Sequence, residues 1–109
     1  NVKNPEVNID LTKKEYIKFL DYDRIQDSLI LRTPEPGDRM VIRSDGAVKK
    51  LNRILSDRKI ERTERNKVPV IACGPEIVWA VGIRIGENYK VTDNTSRIIC
   101  LEYKEEKNR

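Results

Sequence analysis

The apolar residues of this sequence fall in short runs separated by turn residues, which restricts the chain to a fold built mainly from short strands. Residues 33–38 separate two such runs, because Pro34 and Pro36 remove backbone donors and Gly37 can adopt a positive φ. A second break at residues 74–76 indicates a hairpin. The predicted strands are residues 16–20, 28–32, 39–43, 68–73, 77–81, 83–85, 89–92 and 97–103.

Residues 47–57 are the one clear stretch with a helical period. At about 100° per residue, its apolar side chains fall on one side and its basic side chains on the other. The predicted apolar side is Val48, Leu51, Ile54 and Leu55, and the predicted basic side is Lys49, Lys50 and Arg53. Ser44 or Asp45 is expected to cap this helix, and a short second helix is predicted at residues 62–66.

Strands that dominate around one amphipathic helix predict an α+β fold with a mostly antiparallel sheet arrangement. Residues 1–21 are expected to be a leader or the end of a preceding domain, and residues 22–109 one domain. Trp79 lies between apolar neighbours in a predicted strand and is expected to pack in the core.

Positive charge is concentrated in one part of the chain. Residues 48–67 contain eight basic and three acidic residues, a net charge of +5, whereas the whole chain of 109 residues carries +4 and the remainder therefore about −1. Such a concentration is typical of a phosphate-binding surface, and arginine suits it because its guanidinium makes forked contacts to phosphate. The segment has little aromatic interleaving, which favours a duplex backbone over single-strand stacking. The alternative is a helix with an ordinary solvated basic face.

The residue types of this sequence do not favour an autonomous enzyme. There is no histidine, no GxxxxGK[ST] phosphate loop and no GxGxxG, and the only cysteines are Cys73 and Cys100. Two cysteines without any histidine are too few ligands for a Cys/His zinc site. We expect both thiols to be reduced and buried, without a required disulfide. Because the chain begins with Asn1, we expect a fragment of a longer protein. No apolar run approaches the roughly 20 residues of a membrane span.

Several motifs, kept in order and spacing over about residues 22–103, resemble the C-terminal domain family of tRNA(Ile)-lysidine synthases. Residues 32–39 resemble its "LRxxxPGDR" opening, residues 49–65 are similar to its "KKLK…D.KIPR..R" run, and residues 68–82 resemble its "PLL…IVWVPG" hairpin. Departures occur at Asn52 and Glu61, where lysine and proline are usual in the family, and at residues 47–48, where the family is richer in glycine.

The resemblance implies a layered, sandwich-like core similar to a domain of the phenylalanyl-tRNA synthetase β subunit. It also implies that the domain holds the tRNA acceptor stem. An N-terminal catalytic domain of the same protein would use ATP, with Mg²⁺, to join lysine to the wobble cytidine. For this chain itself we expect no cofactor, a cytoplasmic location and no membrane. The resemblance and the basic segment together predict these tRNA-binding residues: Arg32, Arg39, Lys49, Lys50, Arg53, Lys59, Arg62 and Arg65.

A second hypothesis is a structural module that packs on the catalytic domain or forms a homodimer. The apolar hairpin 68–82 would then present the interface. A free-standing enzyme is the third hypothesis, and the missing nucleotide loop and histidine disfavour it.

Overall fold

A computed structural model describes residues 15–104. The strands are β1 (Glu15–Asp21), β2 (Ile30–Arg32), β3 (Arg39–Val41), β4 (Val48–Lys50), β5 (Val70–Cys73), β6 (Glu76–Ala80), β7 (Arg84–Ile85) and β8 (Ile98–Lys104). The helices are α1 (Leu51–Asp57) and α2 (Arg62–Arg65), and 3-10 turns occupy Tyr22–Arg24 and Glu87–Tyr89.

The strands form two sheets. One has the order β2-β5-β6-β3-β4, with β7 also paired to β6, and the other consists of β1 and β8. All strand pairs are antiparallel except β3 with β6. The prediction of an α+β fold with mostly antiparallel strands, one main amphipathic helix and a layered core is therefore confirmed.

Two apolar clusters lie on the two sides of the larger sheet. The first packs the buried side of α1 against the sheet and contains Met40, Leu51, Ile54, Leu55, Val70, Ala72, Ile77 and Ala80. The second packs the β1–β8 ribbon against the sheet through Leu20, Val78 and Tyr89. Because β6 contributes Ile77 to the first cluster and Val78 to the second, this strand is the shared wall between the layers. Trp79 is 1% exposed, as predicted.

The predicted helix at residues 47–57 is wrong in its first turn. Residues 48–50 form β4, whose partner is β3, and α1 begins only at Leu51. Val48 is 53% exposed and is therefore not part of the apolar floor. The cause is the tight turn at residues 43–47, in which Gly46 has φ 94° and the Asp45 carboxylate accepts a hydrogen bond from the Ala47 amide at 3.0 Å. This turn returns the chain beside β3 and so favours strand pairing.

Other local predictions also need correction. Asp45 stabilises the turn and does not cap α1, whose N-cap residue is Lys50 without a side-chain cap bond. The predicted strand at 89–92 is a 3-10 turn followed by a single bridge between Leu20 and Lys90. Cys73 and Cys100 lie in strands as free thiols, but both are half-buried rather than buried.

The predicted domain limit between residues 21 and 22 falls at the end of β1. This strand is paired with β8 over its whole length, from Glu15 opposite Lys104 to Asp21 opposite Ile98. Residues 15–21 thus share the fold of the residues that follow. The part of the predicted leader at residues 1–14 lies outside the described residues.

Candidate nucleic-acid interface

Arg32, the first of the predicted tRNA-binding residues, lies in an internal ion pair. Its guanidinium donates two hydrogen bonds of 2.9 Å to the carboxylate of Asp38, whose side chain is only 3% exposed. It also donates to the carbonyl oxygens of Thr33 at 3.0 Å and Gly74 at 3.2 Å. The hydrogen bond to Asp38 raises the pKa of Arg32 above its ordinary value. These contacts join β2, the turn before β3 and the β5–β6 turn, so the Arg32 side chain has a structural role.

Lys49 is also paired. It faces the same side of the sheet as buried Met40, its neighbour across the β3–β4 pair, and its ammonium group forms an ion pair with Asp57 at the end of α1. The hydrogen bond from Lys49 lowers the pKa of Asp57, and the nearby charge of Arg53 adds to this effect. Lys49 therefore connects β4 to α1 across an exposed surface.

Arg39 and Lys50 lie directly opposite each other in the β3–β4 pair, on the face away from Lys49. Side chains in this position have Cβ atoms about 5 Å apart, and like charges there destabilise a sheet. Both residues are exposed, and among the described residues neither forms an ion pair. Arg53 is an exposed residue at the third position of α1, within one turn of the N-cap Lys50. Arg39 and Lys50 thus place two positive charges side by side, which an anion would stabilise.

Lys59, Arg62 and Arg65 follow α1. Lys59 is exposed and has φ 61°, and Arg62 is exposed on the short helix α2. Arg65 is half-buried and donates from Nε to the carbonyl oxygen of Ile60 at 2.9 Å, which fixes the connection between the helices. Lys59 and Arg62 thus remain available to a ligand, whereas Arg65 is partly engaged.

The structure divides the eight predicted residues into two groups. Arg32, Lys49 and Arg65 have partners within the described part of the chain. The other five are exposed, and within residues 15–104 none of them is in an ion pair. We call this group the basic surface: Arg39, Lys50, Arg53, Lys59 and Arg62. Its chemistry is that of phosphate binding, since lysine and arginine donate charge-assisted hydrogen bonds.

Four further cations outside the predicted set line a groove between β1 and β7: Lys18, Arg58, Arg84 and Lys90. They come from distant parts of the chain, and only Arg58 lies in the basic segment at 48–67. No local sequence signal could have identified this group, because the tertiary fold brings its members together.

The described residues contain no evident metal site. Within residues 15–104, no three side chains among His, Cys, Asp and Glu converge as metal ligands would. The expectation that this chain binds no cofactor stays a prediction. In the same part of the chain, no helix has the length and apolar character needed to cross a membrane.

Comparison with known sequences identifies close relatives. The sequence profile of the family described as "TilS substrate C-terminal domain" matches residues 29–101. The tRNA(Ile)-lysidine synthase of Caldanaerobacter subterraneus subsp. tengcongensis is 44% identical over 97 residues, which cover 89% of this chain and 21% of the relative. That of Clostridium tetani is 36% identical over 103 residues, covering 94% and 22%. The chain thus spans about a fifth of the length of these curated relatives.

A solved structure has the same fold. The crystal structure of a TilS C-terminal domain superposes with a TM-score of 0.66 at 24% sequence identity, and the match covers 98% of this chain and 79% of the other. At this identity the comparison supports the architecture of the sheets and the helix, which agrees with the layered arrangement described above.

Proposed function

Because this chain belongs to the family of tRNA(Ile)-lysidine synthase C-terminal domains, we propose that it binds tRNA and contains no catalytic centre. In this proposal the basic surface contacts the phosphates of the acceptor stem. A catalytic domain of the same protein, absent from this chain, modifies the wobble cytidine of the anticodon using ATP and lysine. A cytoplasmic location follows from the proposed tRNA substrate.

The observation that carries the proposal is the Arg39–Lys50 pair. Two like charges held opposite each other in a strand pair destabilise the free protein. A phosphate group between or above them would convert this repulsion into two attractive contacts. Arg53 is exposed in the first turn of α1, three residues after Lys50, and contacts a neighbouring phosphate in this proposal.

The contacts proposed here position RNA and do not read its sequence. Contacts from lysine and arginine to phosphate fix the register of a nucleic acid, whereas contacts to base edges specify sequence. Such a role suits a domain that holds one end of a tRNA while chemistry occurs at another. Aromatic stacking has no part in this proposal, because residues 48–67, which supply four of the five cations, contain no aromatic residue.

A structural or oligomerisation module is the second candidate function. The hairpin 68–82 that suggested it lies mostly in the core, since Val70, Ala72 and all residues from 77 to 81 are buried. The apolar residues available for such a contact are instead Ile30 and Leu31, 54% and 57% exposed on the edge strand β2. This surface could pack on the catalytic domain or on a second copy, and sedimentation of the full-length synthase would test self-association.

The proposed RNA contact can be tested in the full-length synthase with Arg39, Lys50 and Arg53 all changed to Gln. Lys49 is left unchanged because its pair with Asp57 supports the β4–α1 junction. Loss of three phosphate contacts should weaken tRNA(Ile) binding and flatten the log–log salt dependence by about two to three units. The matched control changes Arg43, Lys67 and Lys104 to Gln, three exposed cations that are already in ion pairs.

Binding of an isolated anticodon stem-loop distinguishes the outcomes. The triple variant should weaken full tRNA and spare the stem-loop, which has no acceptor stem. Equal loss on both ligands would place these side chains at the anticodon. If the triple variant binds both ligands as tightly as the control variant does, the basic surface is an ordinary solvated surface without a role in binding.

A further inference from the structure

The groove between β1 and β7, which we call the β1–β7 groove, has a volume of about 620 Å³. The smaller sheet consists of β1 and β8 alone, so one edge of β1 is free of strand pairing apart from the bridge between Leu20 and Lys90. This edge contributes Lys18 to the groove, and β7 contributes Arg84 on the other side. None of the five residues of the basic surface lines the groove.

Two of its four cations have no acidic partner among the described residues. Lys18 is exposed and forms no ion pair within residues 15–104. Arg58 is exposed and donates one hydrogen bond of 2.8 Å to the carbonyl oxygen of Ile83. That bond holds the Arg58 guanidinium beside the groove and leaves its other N–H groups for a ligand.

The other two cations share one carboxylate. Glu87 lies 3.6 Å from Arg84 and 3.0 Å from Lys90. Arg84 is further fixed by a hydrogen bond of 3.3 Å to the carbonyl oxygen of Ile42. With one acidic residue against four basic residues, the local charge of this group is +3.

Apolar side chains also line the groove, among them Ile17, Phe19, Ile83 and Ile85. The carbon atoms of a ribose could pack on these apolar side chains while the flanking phosphates contact the cations. A purely apolar ligand would leave the four cations unmatched, so the charge of the groove favours an anionic polymer.

We propose that the β1–β7 groove is a second RNA site, which takes phosphodiester groups of the tRNA backbone separately from the basic surface. This inference rests on the proposed function, because it assumes that tRNA is the ligand of the chain. Lys18 and Arg58 make the phosphate contacts, and Arg84 and Lys90 supply further positive charge that Glu87 partly neutralises.

The test uses the full-length synthase with Lys18→Gln and Arg58→Gln combined, and separately with Glu87→Gln. The double variant should weaken tRNA(Ile) binding and flatten its log–log salt dependence by about one to two units. Glu87→Gln should instead tighten binding, because it releases two cations from their shared carboxylate. Lys104→Gln is the matched control, an exposed lysine that is paired with Glu102 and does not line the groove.

The outcomes separate this inference from the function on which it rests. If the basic-surface variant loses affinity while both groove variants bind like the control, the groove site is wrong and the proposed function stands. If removal of this domain leaves tRNA binding by the synthase unchanged, both the groove site and the proposed function are wrong. If the groove variants lower the melting temperature of the synthase without changing RNA affinity, these side chains only support the fold and the RNA proposal is overturned. Because the Lys18 side chain forms no hydrogen bond or ion pair within residues 15–104, Lys18→Gln alone keeps the test valid if the double variant is unstable.

Discussion

The Asp38 carboxylate joins segments that are distant in sequence. It accepts both hydrogen bonds of the Arg32 fork and a third, of 2.8 Å, from the Glu35 amide in the turn before β3. The Arg32 side chain is 17% exposed and that of Asp38 is 3% exposed, so water can replace little of this pairing. Removal of one partner from such a pair is costly because it leaves the other charge buried without compensation.

Asp38→Asn should therefore lower the free energy of unfolding by about 3 kcal/mol. Urea denaturation measures this change. The control is Asp45→Asn, which weakens an exposed pair with Arg43 in which both side chains are more than 60% exposed. Exposed pairs contribute about 0.5 kcal/mol. A loss at Asp38 as small as that at Asp45 would contradict a structural role for the Arg32–Asp38 pair.

Lys59 has a left-handed backbone where glycine is usual. It follows the C-cap of α1, and the Ile60 amide donates to the Leu55 carbonyl while the Lys59 amide donates to the Ser56 carbonyl. This is the Schellman arrangement, in which glycine avoids the steric cost of φ 61°. A lysine in this position costs about 1 kcal/mol, and a lysine at a strained, exposed position agrees with a ligand-binding role.

Lys59→Gly should raise the free energy of unfolding by about 1 kcal/mol and weaken tRNA binding by the synthase. Parallel urea and RNA titrations should therefore show a gain in stability together with a loss of tRNA affinity. Lys67→Gly is the comparison, since Lys67 has no positive φ and should show no such gain in stability. If Lys59→Gly leaves the RNA affinity unchanged, Lys59 does not contribute to tRNA binding.

The junction of β4 and α1 shows how one element ends and the next begins. Val48 and Lys50 point away from α1, whereas Lys49 shares the side of Met40. The Leu51 amide then donates to the Asp38 carbonyl at 2.9 Å, and from Leu51 onward the buried positions follow the helical period. The apolar floor of α1 therefore consists of three residues, without Val48.

Leu55→Ala should cost about 3 kcal/mol, since Leu55 is fully buried and its removal leaves a cavity. Val48→Thr should change stability by less than about 0.5 kcal/mol, because Val48 is exposed and threonine suits an edge strand equally well. Thermal or urea unfolding of the two variants compares the sites directly. Similar losses of unfolding free energy in both variants would mean that Val48 belongs to the apolar side of the helix after all.

At the scale of the whole molecule, the first and last described strands close the fold. β1 and β8 pair only with each other as strands, and Leu20 from β1 fills the second apolar cluster with Val78 and Tyr89. The Tyr89 hydroxyl donates to a Glu76 carboxylate oxygen at 2.6 Å, which connects the turn after β7 to the central strand. The layer formed by β1 and β8 is thus continuous with the larger sheet through side-chain packing.

A chain beginning at residue 22 should therefore fail to fold cooperatively. It would lose the strand that pairs with β8 and the fully buried Leu20. The free energy lost with both exceeds the stability of a typical domain, whose free energy of unfolding is about 5–15 kcal/mol. A chain beginning at residue 14 retains all of β1 and should keep a single unfolding transition. Calorimetry of the two truncations decides where the domain begins, and cooperative melting of the shorter one would favour the limit at residue 22.

Much of the local structure could be predicted from residues near one another in sequence. The breaks at 33–38 and 74–76 and the strands on either side of them depend on backbone restrictions of proline and glycine, which act within a few residues. The short helix α2 and the central strand with Trp79 were also predicted from the local sequence. The motif order also identified the family, which the profile match over residues 29–101 confirms.

Tertiary structure alone decided which charges are available. Arg32 and Arg39 look equivalent in sequence. However, Arg32 is hydrogen-bonded to the Asp38 carboxylate, whereas Arg39 is exposed to solvent opposite Lys50. Whether residues 48–50 extend a helix or pair with β3 likewise depends on a neighbouring strand, because a short apolar–basic pattern fits both periods. The β1–β7 groove has no local signature, since its cations come from a strand of each sheet, the end of α1 and the residue after a 3-10 turn. Local backbone preferences act along the chain, whereas charge pairing and burial depend on which distant residues become neighbours.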